Sequence, residues 1–275
     1  MKVLKFGGGC LKDAEAIKKL PNILKKYENN IIVVISAFGK LTNLLEDISS
    51  KRIVDFSRLH VVFTNIMKGL SFDKKNILKI LNLIKPLDNS NAAILAIGEL
   101  ISSQILSYYL HKHLISHTLC NATGIIKTSN KGISASVDWE ETNHRLEGIK
   151  DKIAKDNNSI VLTQGFIASY SRGKECEISC LGREGSDYSA AILGNIFNVE
   201  EVVLFKDVDG IYSSDPKKNK QAKLFHTLSY NQAFDLCNNG NTVVHPKTIK
   251  PLKEKKIPLV IKNFNNIDLP GTVIS

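Results

Sequence analysis

Short apolar runs alternate along the chain with stretches in which apolar residues recur every three or four positions. The runs are Lys2 to Phe6, Ile31 to Ile35, Ser159 to Thr163, Val202 to Phe205 and Pro258 to Ile261. Each is rich in β-branched residues and apolar at successive positions, as a strand covered on both faces requires. Between them, Asp13 to Tyr27 places Ala16, Ile17, Leu20, Ile23 and Leu24 on one helical face. Ile53 to Met67 and Ile77 to Ile84 continue the pattern. Ala92 to His113 reads as a long helix with Asn89-Ser90-Asn91 as cap residues, and Ser186 to Ile196 and Tyr230 to Asn238 as shorter ones. Strand–helix–strand alternation predicts an α/β sandwich around a mainly parallel sheet. No Ser/Gly linker divides the chain, so one continuous sheet with two lobes is expected, residues 1–156 and 157–275.

Composition narrows the class. With 43% hydrophobic and 23% charged residues in 275, the chain has the make-up of a soluble globular protein of one large domain or two modest ones. The formal charge of +10 suits anionic small molecules as well as nucleic acid. Aromatic residues make up only 7% and none alternate with basic residues as a stacking platform, so nucleic acid is not the expected partner. The five cysteines are scattered, and Cys176 and Cys180 lack the second close pair that a zinc site needs. No metal-ligand set is assigned. Free thiols, no apolar leader and no continuous apolar run of membrane-spanning length lead to the expectation of a cytoplasmic protein without a membrane partner. The charge runs at Lys74-Lys75, Lys217 to Lys220 and Lys253 to Lys256 read as solvated helix ends and turns.

Candidate chemistry lies where apolar runs end. Lys5-Phe6-Gly7-Gly8-Gly9 sets a lysine beside a glycine turn whose N–H groups suit an anion such as phosphate. Ser36-Ala37-Phe38-Gly39, with Thr42 beyond it, offers hydroxyls and N–H groups for a carboxylate or phosphate. Leu181-Gly182-Arg183-Glu184-Gly185-Ser186-Asp187 sets a guanidinium, suited to a carboxylate clamp, at the mouth of a helix, where Asp187 can equally serve as a cap. Asp207-Val208-Asp209-Gly210-Ile211-Tyr212, followed by Asp215-Pro216, is the fourth such turn. In a parallel sheet these ends gather at one edge, which supports phosphoryl transfer, a reaction that needs positioning and charge neutralisation more than covalent chemistry. A carboxylate acceptor is already ionised near neutral pH and needs no strong base, so the histidines are left without a catalytic role, and His245 before Pro246 reads as a turn residue.

These pieces, together with Gly98-Glu99, Gly165-Phe166, Lys206-Asp207 and His245-Pro246, occur in one order across almost the whole chain. As a set they resemble the aspartokinase branch of the amino-acid kinases, and the closing Pro258 to Ile274 stretch resembles the end of an aspartokinase catalytic domain. The resemblance implies the amino-acid kinase (carbamate kinase-like) fold, a three-layer sandwich. It also implies ATP and Mg²⁺ as cofactors, aspartate as the phosphoryl acceptor and a homodimer. By the same analogy Lys5 and Asp187 are catalytic: Lys5 steadies the phosphoryl group in flight, and Asp187 orients Lys5 and helps organise the nucleotide–metal site. Glu99 holds the α-amino group of aspartate and Arg183 grips a carboxylate, with Ser36, Thr42, Phe166 and Ser186 shaping the pocket. Lys5, Gly7, Gly8, Lys206, Asp207, Tyr212, Asp215 and Lys217 match the nucleotide-binding positions.

Several positions depart from the family pattern. Gly9 and Cys10 stand where the opening usually continues with Thr-Ser, which removes two hydroxyls and is expected to loosen the turn. Glu184 follows Arg183 where glycine is usual, and either pairs with a basic group or repels an acidic substrate. Ser179 and Cys180 replace threonines, and Gly240-Asn241-Thr242 lacks a lysine common before His-Pro. The chain stops at Ser275, where feedback-regulated relatives continue into ACT-type domains, so no regulatory domain is expected. Two alternatives stay open: a kinase of the same fold for another small acidic amino acid, and a non-catalytic nucleotide-binding partner subunit.

Overall fold

The computed structural model describes residues 1–27, 30–51, 55–88, 90–154, 160–172, 175–216 and 218–275. The first half of the chain forms β1 (Lys2–Phe6), α1 (Ala14–Ile17), α2 (Leu20–Lys25), β2 (Ile31–Ile35), α3 (Leu41–Ser49), α4 (Ser57–Gly69), α5 (Lys74–Leu81), α6 (Asn91–Lys112), β3 (Thr118–Cys120), α7 (Ala122–Ile125), β4 (Lys127–Thr128) and α8 (Trp139–Ala154). The second half forms β5 (Ile160–Gln164), β6 (Ile167–Arg172), β7 (Glu175–Cys180), α9 (Gly185–Phe197), β8 (Glu201–Lys206), β9 (Ile211–Tyr212), β10 (Leu224–Phe225), β11 (Thr227–Leu228), α10 (Tyr230–Asn238), α11 (Pro246–Lys255), β12 (Leu259–Asn263) and β13 (Thr272–Ile274).

β1 sits inside an eight-stranded sheet of order β11-β13-β12-β8-β1-β2-β5-β3, which draws strands from both halves of the chain. β1 runs parallel to β2 and β8, so that Lys5 lies level with Val34 and Leu204. Neighbours in this sheet are parallel except β12 and β13. The mainly parallel sheet read from the apolar runs is therefore present. Alternate residues of each central strand feed two cores. Leu4, Phe6, Val33 and Ile35 pack with helices α3 to α6, while Val3, Ile32 and Val34 pack with α9 and α11. Burial on both faces is the physical reason these strands lack a polar side. The Phe6 and Phe205 rings stack face to face across β1 and β8, with centroids 4.6 Å apart.

The helical reading needs three corrections. The stretch from Asp13 to Tyr27 is two helices, because Pro21 stands in the first turn of α2 and cannot donate to an earlier carbonyl. The chain tightens between them, with the Lys19 N–H donating to the Ala16 carbonyl at 3.2 Å. α4 starts at Ser57, and the expected start at Ile53 lies outside the described residues, as do the cap at Asn89 and the first strand residue Ser159. Helices α3, α8 and α11 were not foreseen. α8 is mostly polar, and α11 contains Pro246 and Pro251.

The expectation of a single sheet is also incomplete. A second sheet of order β4-β6-β7 and a β9–β10 ribbon stand apart from the large one. β6 and β7 carry Ser169, Tyr170, Ser171, Cys176 and Ser179, so no apolar run announces them. Their antiparallel pairing brings Ile167 opposite Cys180. β7 then delivers the Leu181–Asp187 turn into α9.

α6 is the helix that positions the site. Ser90 caps it, its hydroxyl accepting from the Ala93 N–H at 3.1 Å. It is long and apolar enough to cross a membrane by length and composition, and 78% of that window is buried inside the fold. Such burial is the state of a core helix, and between its end residues Asn91 and Lys112 only the stripe of Leu100, Gln104, Ser107, Tyr108 and His111 on its C-terminal half is half-buried or exposed. At Gly98 an added Cβ would stand 2.9 Å from both Ala37 Cβ and Leu45 Cδ1, so glycine sets how closely α6 approaches α3 and the turn after β2. Gly98→Val should therefore lower stability by about 1–3 kcal/mol, a fall in Tm of several degrees. An unchanged Tm by scanning calorimetry would show that this contact has room to spare.

Candidate active site

The turns at the ends of β1, β2, β7 and β8 meet at one edge of the fold and enclose a cleft of 660 Å³. Parallel order makes this happen, since it places the carboxyl ends of β1, β2 and β8 together. The β1 and β2 turns are packed backbone to backbone. The Gly39 N–H donates to the Gly8 carbonyl at 3.0 Å, and a Cβ on Gly8 would stand 2.7 Å from the carbonyl oxygens of Ala37 and Gly39. Only glycine fits there.

At Gly9 and Cys10, where a looser turn is expected, the turn is closed by backbone and thiol hydrogen bonds. The Cys10 and Leu11 N–H groups donate to the Gly7 carbonyl at 3.0 and 3.1 Å. The buried Cys10 thiol donates to the Phe205 carbonyl at 3.2 Å, tying the turn to β8. Burial pushes that thiol up to about 11, so Cys10 stays protonated and inert.

At one end of the cleft lies a charge network. Asp187, in the first turn of α9, is fully buried beneath Lys5, which is 4% exposed, and the two form an ion pair. The Lys206 ammonium lies 2.6 Å from the other Asp187 oxygen and 3.5 Å from Glu184 Oε2. Burial alone would push the Asp187 carboxyl up. The Lys5 and Lys206 charges outweigh it and hold the group well below the usual carboxylate range. Lys206 answers in kind: burial opposes its charge, and Asp187 and Glu184 together raise it above an ordinary lysine. Of the two readings of Glu184, pairing with a basic group is the one found, and that group is Lys206. Glu184 itself holds a left-handed backbone with φ of 53°.

A second buried carboxyl, Glu99, projects from α6 into the lining and is 2% exposed. Its Oε1 accepts from the Ala37 N–H at 3.3 Å, while Oε2 has no partner. Burial pushes this carboxyl up to about 8. Ser102, about one turn further along the helix, accepts from the Phe38 N–H at 3.1 Å, so α6 holds the β2 turn by two side chains. Phe166 closes the wall in a left-handed conformation with φ of 67°, its N–H donating to Ser189 Oγ at 3.0 Å. Such strain in a non-glycine residue is typical of working sites. Arg183 is exposed, with no ion pair among the described residues.

The fold thus brings Lys5, Gly7, Gly8, Ser36, Thr42 and Glu99 to the cleft lining from one side. Phe166, Arg183, Ser186, Lys206 and Asp207 line it from the other, with Asp187 directly beneath. Tyr212 and Asp215 do not line it. The Tyr212 hydroxyl donates to Asp209 Oδ2 at 3.2 Å instead. Lys217 lies outside the described residues. Sequence reading missed Ile133 and Ser134, which reach the cleft because Ser134 bridges to Leu181. No local signal marks them. Glu46 of α3 is also part of the lining. Among the described residues no group of three or more His, Cys, Asp or Glu side chains converges as a self-contained metal site.

The sequence profile of the amino acid kinase family matches residues 1–263. A bifunctional aspartokinase/homoserine dehydrogenase of Buchnera aphidicola is 32% identical over 100% of this chain, which spans 36% of that protein. An aspartokinase of Chlamydia trachomatis is 28% identical over 99% of this chain and 64% of its own length. The chain thus spans about a third to two thirds of these relatives. E. coli aspartokinase III, solved with aspartate and ADP, superposes with a TM-score of 0.89 at 24% identity over 100% of this chain and 64% of that one, a likeness of fold. Clostridium acetobutylicum aspartate kinase superposes at 0.80 with 26% identity over 100% of this chain and 63% of that one. A family-wide match carried on a parallel sheet with these four turns leads to one conclusion: this chain belongs to the amino acid kinase family.

Proposed function

We propose that the chain is an ATP-dependent aspartate kinase, transferring the terminal phosphoryl group of ATP to the side-chain carboxylate of L-aspartate to give 4-phospho-L-aspartate. The observation that carries this reading is the division of the cleft. A buried carboxyl with one unpartnered oxygen, Glu99, and a guanidinium with no ion pair among the described residues, Arg183, share a 660 Å³ cleft with the Lys5–Asp187–Lys206 network. Glu99 and Arg183 together suit an α-amino acid, one taking its ammonium group and the other a carboxylate. The aspartokinase relatives favour aspartate among such acceptors.

In this reading Asp187 keeps Lys5 charged and aimed, and Lys5 neutralises the phosphoryl oxygens as charge moves between donor and acceptor. The Gly7 and Gly8 N–H groups serve the same oxygens. Ser36, Thr42, Phe166 and Ser186 shape the acceptor pocket. Lys206 and Asp207 serve the nucleotide, and Tyr212, Asp215 and Lys217 are assigned to it by resemblance. Asp207 and Glu184 are the carboxylates in the lining beside Lys206 that would meet a Mg²⁺ carried in by the nucleotide, which when bound would add charge neutralisation on the phosphates. Residues 1–156 then form chiefly the acceptor side and 157–275 chiefly the nucleotide side. The reading extends to a cytoplasmic homodimer serving lysine, threonine, methionine or diaminopimelate synthesis. That Glu184 reaches Lys206 and leaves Arg183 free supports aspartate over a different acidic acceptor. An intact Lys5–Asp187 pair supports a catalyst over a silent partner subunit.

A coupled ADP-release assay across acidic amino acids, with hydroxylamine trapping of the acyl phosphate, tests the reading. Turnover with aspartate and a trapped hydroxamate are expected, and neither with any acidic amino acid would refute it. Lys5→Ala should cut kcat by about two to three orders of magnitude, roughly 3–4 kcal/mol, with an unchanged circular dichroism spectrum. A variant within about threefold of the parent would remove Lys5 from the chemistry. Arg183→Ala and Glu99→Gln should raise the KM for aspartate while calorimetric ATP affinity moves less than about threefold.

Glu99 also sets a pH dependence. Its carboxyl, raised by burial to about 8, must lose its proton to pair with an incoming ammonium. Aspartate affinity in the parent should therefore improve as pH rises from about 6 to about 8, with up to about one proton released per aspartate bound. Glu99→Gln should abolish both effects. Calorimetry in buffers of different ionisation enthalpy reads the proton, and equal release from the variant would exclude Glu99 as its source.

A further inference from the structure

We propose that Glu184 makes nucleotide binding in this cleft conditional on a divalent cation, acting as an internal anion that turns away metal-free triphosphate. The proposal rests on the assignment of the Lys5–Asp187–Lys206 end to the nucleotide. It assigns Glu184 a role in selecting which form of the nucleotide binds.

The charge arrangement carries the argument. Asp187 is one carboxylate shared by two ammonium groups, Lys5 and Lys206. By itself that trio would present a surplus positive charge to an incoming phosphate. Glu184 removes the surplus by placing Oε2 3.5 Å from the Lys206 ammonium. The rest of the cleft does not restore it, since the lining holds Lys5, Arg183 and Lys206 against Glu46, Glu184 and Asp207, with Glu99 largely protonated near neutral pH. The net charge of +10 is thus not concentrated here. A triphosphate entering alone meets a cleft with no excess of positive charge and has to displace Glu184 from Lys206 against like-charge repulsion. A triphosphate that brings its own cation meets no such barrier, because Glu184 then faces a positive partner.

Glu184 is built for this rather than for holding Lys206 in place. Asp187 already holds the same ammonium at 2.6 Å from a fully buried position, whereas the Glu184 side chain is 37% exposed and reaches it only at 3.5 Å. Nor does it cap α9. It stands at the N-cap position with a φ of 53° and makes no side-chain capping bond. A left-handed backbone favours glycine, so the side chain sits there against local preference.

Isothermal titration of the full chain with ATP, once in excess EDTA and once in excess MgCl₂, tests the proposal. In Glu184→Gln and Glu184→Gly, affinity for metal-free ATP should rise about tenfold, as loss of one like charge in a half-buried cleft implies. Affinity for the magnesium complex should move less than about threefold, so the preference for metal narrows in both variants. Thermal midpoints within a few degrees of the parent would certify folding, and agreement between the two variants separates the lost charge from relieved backbone strain. Weaker binding of both forms would make Glu184 a support for Lys206 and overturn the proposal. Equal tightening of both forms, or no change in either, would also overturn it. A parent that binds neither form would refute the nucleotide assignment itself, and this inference with it.

Discussion

A single fully buried carboxylate, Asp187, organises this end of the molecule. Removing a charge from water is costly, and the cost is met here by two ammonium groups arriving from different elements: Lys5 from β1 and Lys206 from β8. Because α9 carries Asp187 in its first turn, the network pins a helix N-terminus, where negative charge is favoured, against two adjacent parallel strands. Losing either lysine would leave a buried charge half-compensated, which is the expensive way to break such a pair. The position of the β1 glycine turn follows, since it begins immediately beyond Lys5.

The second buried carboxyl shows a different solution to the same problem. Glu99 receives one long backbone hydrogen bond and forms no ion pair among the described residues, and the Lys5 charge does not offset its burial. It therefore stays largely protonated near neutral pH, and its ionisation waits for a partner from outside. Two buried carboxyl groups in one cleft are thus driven to opposite protonation states by their surroundings. One is fixed by internal lysines and the other is left to be completed, which is the asymmetry expected where a fixed phosphate-facing charge meets a recruited substrate.

Both carboxyl groups rest on a rigid frame. The parallel sheet is covered on both faces, and most of α6 is buried between α3 and the sheet. Close packing transmits position well, so the turn after β2 is held by its neighbours at Gly8, Gly98, Glu99 and Ser102. The adjustable parts are at the rim: Arg183 and Glu184 are exposed and sit on the turn between β7 and α9.

Much of the frame was legible in the chain itself. The runs at Lys2 to Phe6 and Ile31 to Ile35 are strands to the residue, and Tyr230 to Asn238 is a helix to the residue. Local periodicity decides these, because burial on two faces or one leaves its mark on neighbouring positions. The glycine turns were equally readable, since backbone demands fall on the residue that meets them. Where the local signal was polar or mixed, as in β6, β7 and α8, reading failed, and at Pro21 a continuous apolar face hid a break. The site divides along the same line. The resemblance of the ordered motifs to aspartokinases named Lys5, Glu99, Arg183 and Asp187. Only the tertiary structure decided that Glu184 faces Lys206 rather than Arg183, that Cys10 is spent on the Phe205 carbonyl, and that Tyr212 turns to Asp209. It alone brought Ser134 to the cleft and left one oxygen of Glu99 without a partner. Those outcomes depend on distance and burial between residues far apart in the chain, and a linear pattern carries no record of either.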